Sequence, residues 1–300
     1  MGAERGREAK LKPATFDYYA PASRDELLAL LGELGDDAKV LAGGQSLIPL
    51  MNFRLARPAQ LVDVGTVGEL AYVRANSGVH IGAGARQWDV ENDPAVASQV
   101  PLLVQALHYV AHPPIRHRGT VCGSIVHADP AAELPAVALA LDATMRVTSA
   151  GGTRDVAAKD FFHGVFSTAL GPDELLEEIV FPPMPKGTGY AVAELTRTHG
   201  NFAVAGAMAT MRLGGDGTIE SCVLVAFGLD ATAVRCEAGE QVLTGAQPTD
   251  ELFAEAAAAA VAPLSPGGDM HGSAKYRKRV AAVYMERVIA EARERAGESA

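Results

Sequence analysis

The chain has 300 residues, 48% hydrophobic and 21% charged, the composition of a globular protein with room for two cores. Its formal net charge of −10 argues against nucleic acid or an anionic membrane surface as the main partner. Three cysteines without CxxC spacing argue against a disulfide framework or a four-cysteine cluster. Such cysteine usage fits a reducing cytoplasm, and no apolar run reaches the roughly 18 residues a membrane span needs, so no span is expected.

Residues 1–14 lack an apolar core and read as a loose tail. Ser23 and Glu26 have capping-box spacing before an apolar helical run, Leu27 to Leu34, that Gly35 closes. Lys39 to Leu41 and Leu61 to Val64 read as strands, as does Val79 to Ile81, closed by Gly82-Ala83-Gly84. Val100 to Ala111 has a helical pattern that Pro113 and Pro114 stop. Met145 to Thr148 and Thr153 to Val156 flank a glycine turn and predict a hairpin, and Glu177 to Phe181 predicts a strand.

The Pro/Gly-rich stretch 181–187 is the candidate linker. After it come three predicted strands, Tyr190 to Leu195, Phe202 to Leu213 and Thr218 to Phe227. Two predicted helices follow, Thr249 to Val261 and Ser273 to Ala296, the second with Val280, Val283, Tyr284 and Val288 on one face. Strands then helices predict an antiparallel sheet backed by helices.

Two segments carry the chemistry. In Leu41-Ala42-Gly43-Gly44-Gln45-Ser46-Leu47 a strand runs into two glycines and then a helix starting near Ser46. Such a turn lets backbone N–H groups approach a diphosphate closely, although an ordinary strand-to-helix turn reads the same way. Arg118-Gly119-Thr120-Val121-Cys122-Gly123-Ser124 repeats the small-residue chemistry, and Glu133 follows it. A cofactor diphosphate with a carboxylate for a sugar hydroxyl would fit, as would a polar loop capped by Asp129. The segment Gly82 to Gln87 fails the dinucleotide fingerprint because Gln87 stands where Gly or Ala is required, so it reads as a turn.

In this order, AGGQSLIPLMNFRLARPAQLVDV, IGAGARQ and HPPIRHRGTVCGSIVHADPAAELPAVALALDA resemble the flavoprotein (medium) subunit of molybdenum hydroxylases, the xanthine dehydrogenase and aerobic carbon monoxide dehydrogenase type. The resemblance runs from about Phe16 to Ala296. It implies an α+β fold: a two-lobed FAD-binding domain of the vanillyl-alcohol-oxidase type over 15–184 (lobes about 15–64 and 65–184), then a C-terminal antiparallel sheet with helices over 188–298. It assigns FAD contacts to Ala42, Gly43, Gly44, Gln45, Ser46 and Leu47, and to Thr120, Val121, Cys122, Gly123 and Ser124.

By the same resemblance Glu133, where the family usually has Asp, faces the cofactor's sugar side. Leu176 and Ile179 lie near positions that cover the flavin, and Phe202 lies by the isoalloxazine ring, in the family's G-D-aromatic-A stretch. Three departures stand out: Cys122 for the commoner glycine, Asn201 for Asp, and Phe202 without the hydroxyl of a Tyr. AGGQS rather than AGGHS tilts the substrate from carbon monoxide toward organic molecules such as N-heterocycles.

The resemblance also implies that electrons reach FAD from [2Fe–2S] clusters on an iron–sulfur small subunit. A large subunit would carry the molybdenum cofactor, the whole assembling as a dimer of heterotrimers. The chain itself lacks cysteine sets for such clusters. The alternative is a free-standing FAD-dependent oxidase or dehydrogenase of the same fold. No nucleophile–base set is legible, so no catalytic residue or metal ligand is assigned. Cys122 with His127 lies inside the cofactor loop, and His108 and His112, four apart on the predicted helix with His117 nearby, read as structural. The basic cluster Lys275, Arg277, Lys278 and Arg279 reads as a solvated helix start or docking face.

Overall fold

The computed structural model describes residues 11–298; most of the expected tail lies outside them. The first unit contains β1 (Asp17–Tyr19), α1 (Arg24–Leu34), β2 (Ala38–Leu41), α2 (Leu47–Asn52) and β3 (Gln60–Asp63). Its three strands form a parallel sheet in the order β1-β3-β2, with Tyr18 opposite Leu61 and Val40 opposite Val62. Ser23 caps α1 by accepting from the Glu26 N–H at 3.2 Å, while the Glu26 carboxylate accepts from Ala22 N–H at 2.7 Å. Leu27, Leu28 and Leu31 then pack on Val62 and Val64.

The second unit contains β4 (Val73–Ala75), β5 (Val79–Gly82), α3 (Gln87–Glu91), α4 (Pro94–Gln99), α5 (Pro101–Leu107), α6 (Pro113–Arg116), α7 (Val121–His127) and α8 (Glu133–Ala140). The hairpin β6 (Thr144–Ser149) and β7 (Gly152–Ala157) follows, with α9 (Ala158–Phe161), β8 (Phe162–Gly164), β9 (Ser167–Thr168) and β10 (Leu175–Phe181). Its main sheet is antiparallel, in the order β4-β5-β10-β6-β7.

The third unit contains β11 (Gly189–Leu195), β12 (Ala205–Leu213), β13 (Ile219–Phe227), β14 (Val234–Arg235), α10 (Glu237–Leu243), α11 (Asp250–Val261) and α12 (Ala274–Glu298). The sheet is antiparallel in that order, as the succession of long strands predicts. Period-two alternation gives it two buried faces. Ala191, Ala207 and Ala209 meet α11 and α12, whereas Val192, Met208, Val225 and Phe227 join the core of the second unit, which includes α5, α7 and α8. One apolar core thus crosses the border between the units.

Three expectations need correction. The helix predicted over 100–111 ends at Leu107 because Ala111 turns left-handed (φ 44°) and His112 is extended before Pro113. The two prolines then start α6 at its first positions, where a missing N–H costs nothing. On α12 the buried stripe is Ala281, Met285, Val288, Ile289 and Ala292; Val283 is 42% exposed, and Val280 and Tyr284 are only partly buried. Finally, the basic cluster is half internal. Arg277 is 9% exposed and donates to Val204 O at 2.7 Å and Asp269 Oδ2 at 2.6 Å, and Lys278 donates to Leu264 O at 3.0 Å.

Candidate functional site

The two glycine segments meet. The first follows strand β2 and the second follows helix α6 and a turn, and both lead into short helices, α2 and α7. A Cβ on Gly43 would overlap the Arg118 carbonyl oxygen and lie 2.6 Å from Gly119 Cα, and one on Gly123 would lie 3.4 Å from Ala42 Cβ. Gly44 has φ +70°, the left-handed region that favours glycine. Among the described residues, the N–H groups of Gly44, Gln45 and Ser46 find no protein acceptor. The Gln45 side chain donates to Gly43 O at 2.8 Å, fixing the turn from inside. Ile48 N–H donates to Gly44 O at 3.0 Å and winds the chain into α2, which places Leu47 in its first turn.

The second segment is built the same way. Thr120 caps α7 by accepting from Gly123 N–H at 3.0 Å. Val121 and Cys122 point into the core, 0% and 2% exposed, while Ser124 is half-buried. Cys122 Sγ donates to Ile81 O at 3.5 Å, and burial pushes its thiol up to about 12, which holds it protonated. His127 stacks on Phe166 with ring centroids 4.9 Å apart, and burial lowers its pKa. The Cys122 and His127 side chains are therefore committed to different neighbours.

Residues absent from the sequence-based assignment hold this loop in place. Gln87 N–H donates to Gly119 O at 2.8 Å, Val121 N–H donates to Ala85 O at 3.4 Å, and Arg86 donates to the Arg118 carbonyl. The Gly82 to Gln87 turn is thus a splint for the second loop, and Gln87 at the failed fingerprint position is 4% exposed. Just upstream, Arg116 (6% exposed) forms a two-pronged pair with Glu91, Nε to Oε2 at 2.6 Å and NH2 to Oε1 at 3.0 Å. Arg54 donates to the distant Lys12 carbonyl at 3.1 Å and Arg57 to the nearby Arg54 carbonyl at 3.0 Å.

The remaining assigned residues separate. Glu133 opens α8 at 5% exposure, and burial pushes its carboxyl up to about 7. Phe202 lies before β12 and is 55% exposed, free to lie against a ligand. Ile179 is 0% exposed, paired with Ile81 and Met145 in mid-sheet, and its side chain belongs to the core; Leu176 is 2% exposed in the same core. The three histidines also diverge: His108 Nε2 sits 3.4 Å from Glu91, His117 stacks on Trp88 at 4.1 Å, and His112 tilts against His199 at 5.6 Å. Among the described residues no group of three or more His, Cys, Asp or Glu could hold a metal ion, and no helix is long and apolar enough to cross a membrane.

A family model described as the FAD binding domain in molybdopterin dehydrogenase matches residues 14–184, and one for the carbon monoxide dehydrogenase flavoprotein C-terminal domain matches 190–292. The chain is 40% identical to the 6-hydroxypseudooxynicotine dehydrogenase complex subunit alpha of Paenarthrobacter nicotinovorans, over 95% of this chain and 97% of that one. It is 38% identical to the carbon monoxide dehydrogenase medium chain of Hydrogenophaga pseudoflava, over 92% and 96%. A chain of quinoline 2-oxidoreductase from Pseudomonas putida 86 superimposes with a TM-score of 0.91 at 35% identity, covering 95% of this chain and 99% of that one.

Proposed function

Because the chain belongs to the family of FAD-binding medium subunits of molybdenum hydroxylases, we propose that it holds one FAD across the two glycine loops and relays electrons between partner chains and an external acceptor. The observation that carries this reading is the convergence of the loops, with the Gly44, Gln45 and Ser46 N–H groups free to donate to a diphosphate. Ala42, Gly43 and Leu47 shape the first half of the cradle and Thr120 to Ser124 the second. Glu133 serves the sugar side, and Phe202 lies at the ring end. The buried side chain of Ile179 supports the sheet beneath the site, which limits any cofactor contact to its backbone. Bound flavin supplies one- and two-electron chemistry, and the protein supplies its position and electrostatics.

The electron source is an iron–sulfur small subunit carrying [2Fe–2S] clusters, and a large subunit carries the molybdenum cofactor, two heterotrimers pairing in the cytoplasm. We place the FAD-binding domain at 15–184, its lobes dividing near residue 64 where the parallel sheet gives way to the antiparallel one, and the C-terminal domain at 188–298. The substrate, which binds on the large subunit, is an organic molecule such as an N-heterocycle. The likeness to quinoline 2-oxidoreductase and Gln45 in the first loop both support this. The test is to co-express the chain with its two neighbouring subunits and purify the complex. About one FAD per chain, reduced on adding an N-heterocycle, is expected. A colourless complex, or a lone chain that turns over an organic substrate, would overturn the proposal.

A further inference from the structure

Two carboxyl groups lie at the junction of the FAD-binding part and the C-terminal sheet, and among the described residues both are poorly satisfied. Glu133 in the first turn of α8 is 5% exposed, and its carboxyl accepts only from its own backbone N–H. Glu194, next to last in β11, has a fully buried Oε2 with no hydrogen-bond partner among the described residues. Strand register fixes where Glu194 points. It lies opposite Gly206, which lies opposite Phe227, and the Phe227 ring fills the space a Gly206 side chain would need. Glu194 therefore shares a sheet face with Val192, Met208 and Phe227. That face turns away from α12 and toward the core that contains α8, which packs against β12 and β13.

Charge reinforces the geometry. Burial raises both carboxyls, Glu194 to about 9 and Glu133 to about 7, and the charge of Glu133 adds to the rise at Glu194. Asp129 pushes Glu133 the same way, and Tyr109 lies near enough to feel Glu194, with Glu291, Tyr284 and Arg295 behind it. Packing alone does not account for such an arrangement, because an orphaned buried carboxyl costs free energy that Leu or Gln would avoid. Two carboxyls holding one proton between them can both accept from and donate to a hydroxyl group.

We propose that Glu194, reaching in from the C-terminal domain, joins Glu133 in a two-carboxyl clamp that hydrogen-bonds hydroxyl groups of the bound flavin nucleotide. The proposal rests on the FAD-binding reading and deepens it, making the C-terminal sheet part of the cofactor site.

The experiment titrates FAD into the full-length chain stripped of flavin, following flavin fluorescence and the visible spectrum, for wild type, Glu194→Leu, Glu194→Ala and Glu194→Gln. Melting temperatures of the flavin-free proteins are measured alongside. A hydrogen bond from Glu194 to the nucleotide predicts about tenfold or greater loss of affinity for the Leu and Ala variants. It also predicts recovery of most of that affinity by Gln, and an unchanged or higher melting temperature for the flavin-free Leu variant. Leu or Ala variants that bind FAD within about twofold of wild type, with the same spectrum, overturn the clamp. So does a loss shared by all three variants together with a fall in melting temperature, which marks a structural role. Failure of the wild-type chain to take up FAD defeats the underlying flavoprotein reading, and the clamp with it.

Discussion

At the scale of single residues, the site depends on atoms that are missing. Gly43 sits against the Arg118 carbonyl and Gly119 Cα, so Gly43→Ala forces the two loops apart. The expected cost is about 1–3 kcal/mol of stability, with flavin content of the purified chain falling well below wild type. Gly32→Ala on the exposed face of α1 has nothing within 4 Å of the new Cβ and serves as the control. It is expected to raise stability by roughly 0.4–1 kcal/mol in denaturant unfolding and to leave flavin content unchanged. Phe202 offers the opposite case. At 55% exposure it holds little of the fold, so Phe202→Ala is expected to stay within about 0.5 kcal/mol of wild type. Its effect belongs in the flavin, as altered bound-flavin fluorescence and an altered rate of reoxidation by the acceptor; unchanged values for both would remove Phe202 from the site. The glycine and hydroxyl residues were legible in the sequence because they make their own turns. Gln87 and Arg86 were not, because their role is to brace a loop more than 30 positions away, which no local pattern encodes.

At the scale of elements, long segments declared themselves and short ones did not. Nine-residue β12 and β13 and twelve-residue α11 were readable from periodicity, whereas three-residue β1 and β4 carry too few alternations to register. The helix predicted over 100–111 failed for a specific reason: its apolar residues Val110 and Ala111 continue past Leu107, where the helix ends ahead of the left-handed turn at Ala111, so pattern outlasts structure. That turn aims α6 at the second loop, and Arg116 at its end anchors it. Arg116 is pinned to Glu91 at 2.6 and 3.0 Å and to Val110 O at 3.0 Å. Removing one partner of so enclosed a pair strands the other, and Arg116→Ala is expected to cost about 3–5 kcal/mol. At roughly 2–4 °C per kcal/mol the first unfolding transition should fall by about 10 °C. A shift under about 2 °C would show that the pair does not hold α6.

At the scale of the whole molecule, the continuous core makes the two family-matched parts one mechanical body, and its weak point is the pair of carboxyls buried at the border. The alternation of Tyr190 to Leu195 in the sequence foretold a strand, yet not that Glu194 would lie close enough to feel the charge of Glu133, since that depends on how the third unit docks. The consequence is a pH dependence of definite sign. Both folded-state values, about 7 and about 9, stand above the ordinary carboxyl value of 4.5, so protonation favours the folded chain. Their contribution is complete below about 4.5 and drains away as pH rises first through 7 and then through 9. The flavin-free chain should therefore melt at progressively lower temperature from pH 6 to 9.5. Glu133→Gln and Glu194→Gln should each flatten the part of that slope belonging to its own group, and the double variant should flatten it most. Bound FAD adds stability at every pH by mass action, so the comparison is made on stripped protein. A wild-type melting temperature that holds level or climbs across this range would mean that the two carboxyls are already satisfied in the folded chain, and the border between the units would have to be drawn without a buried charge in it.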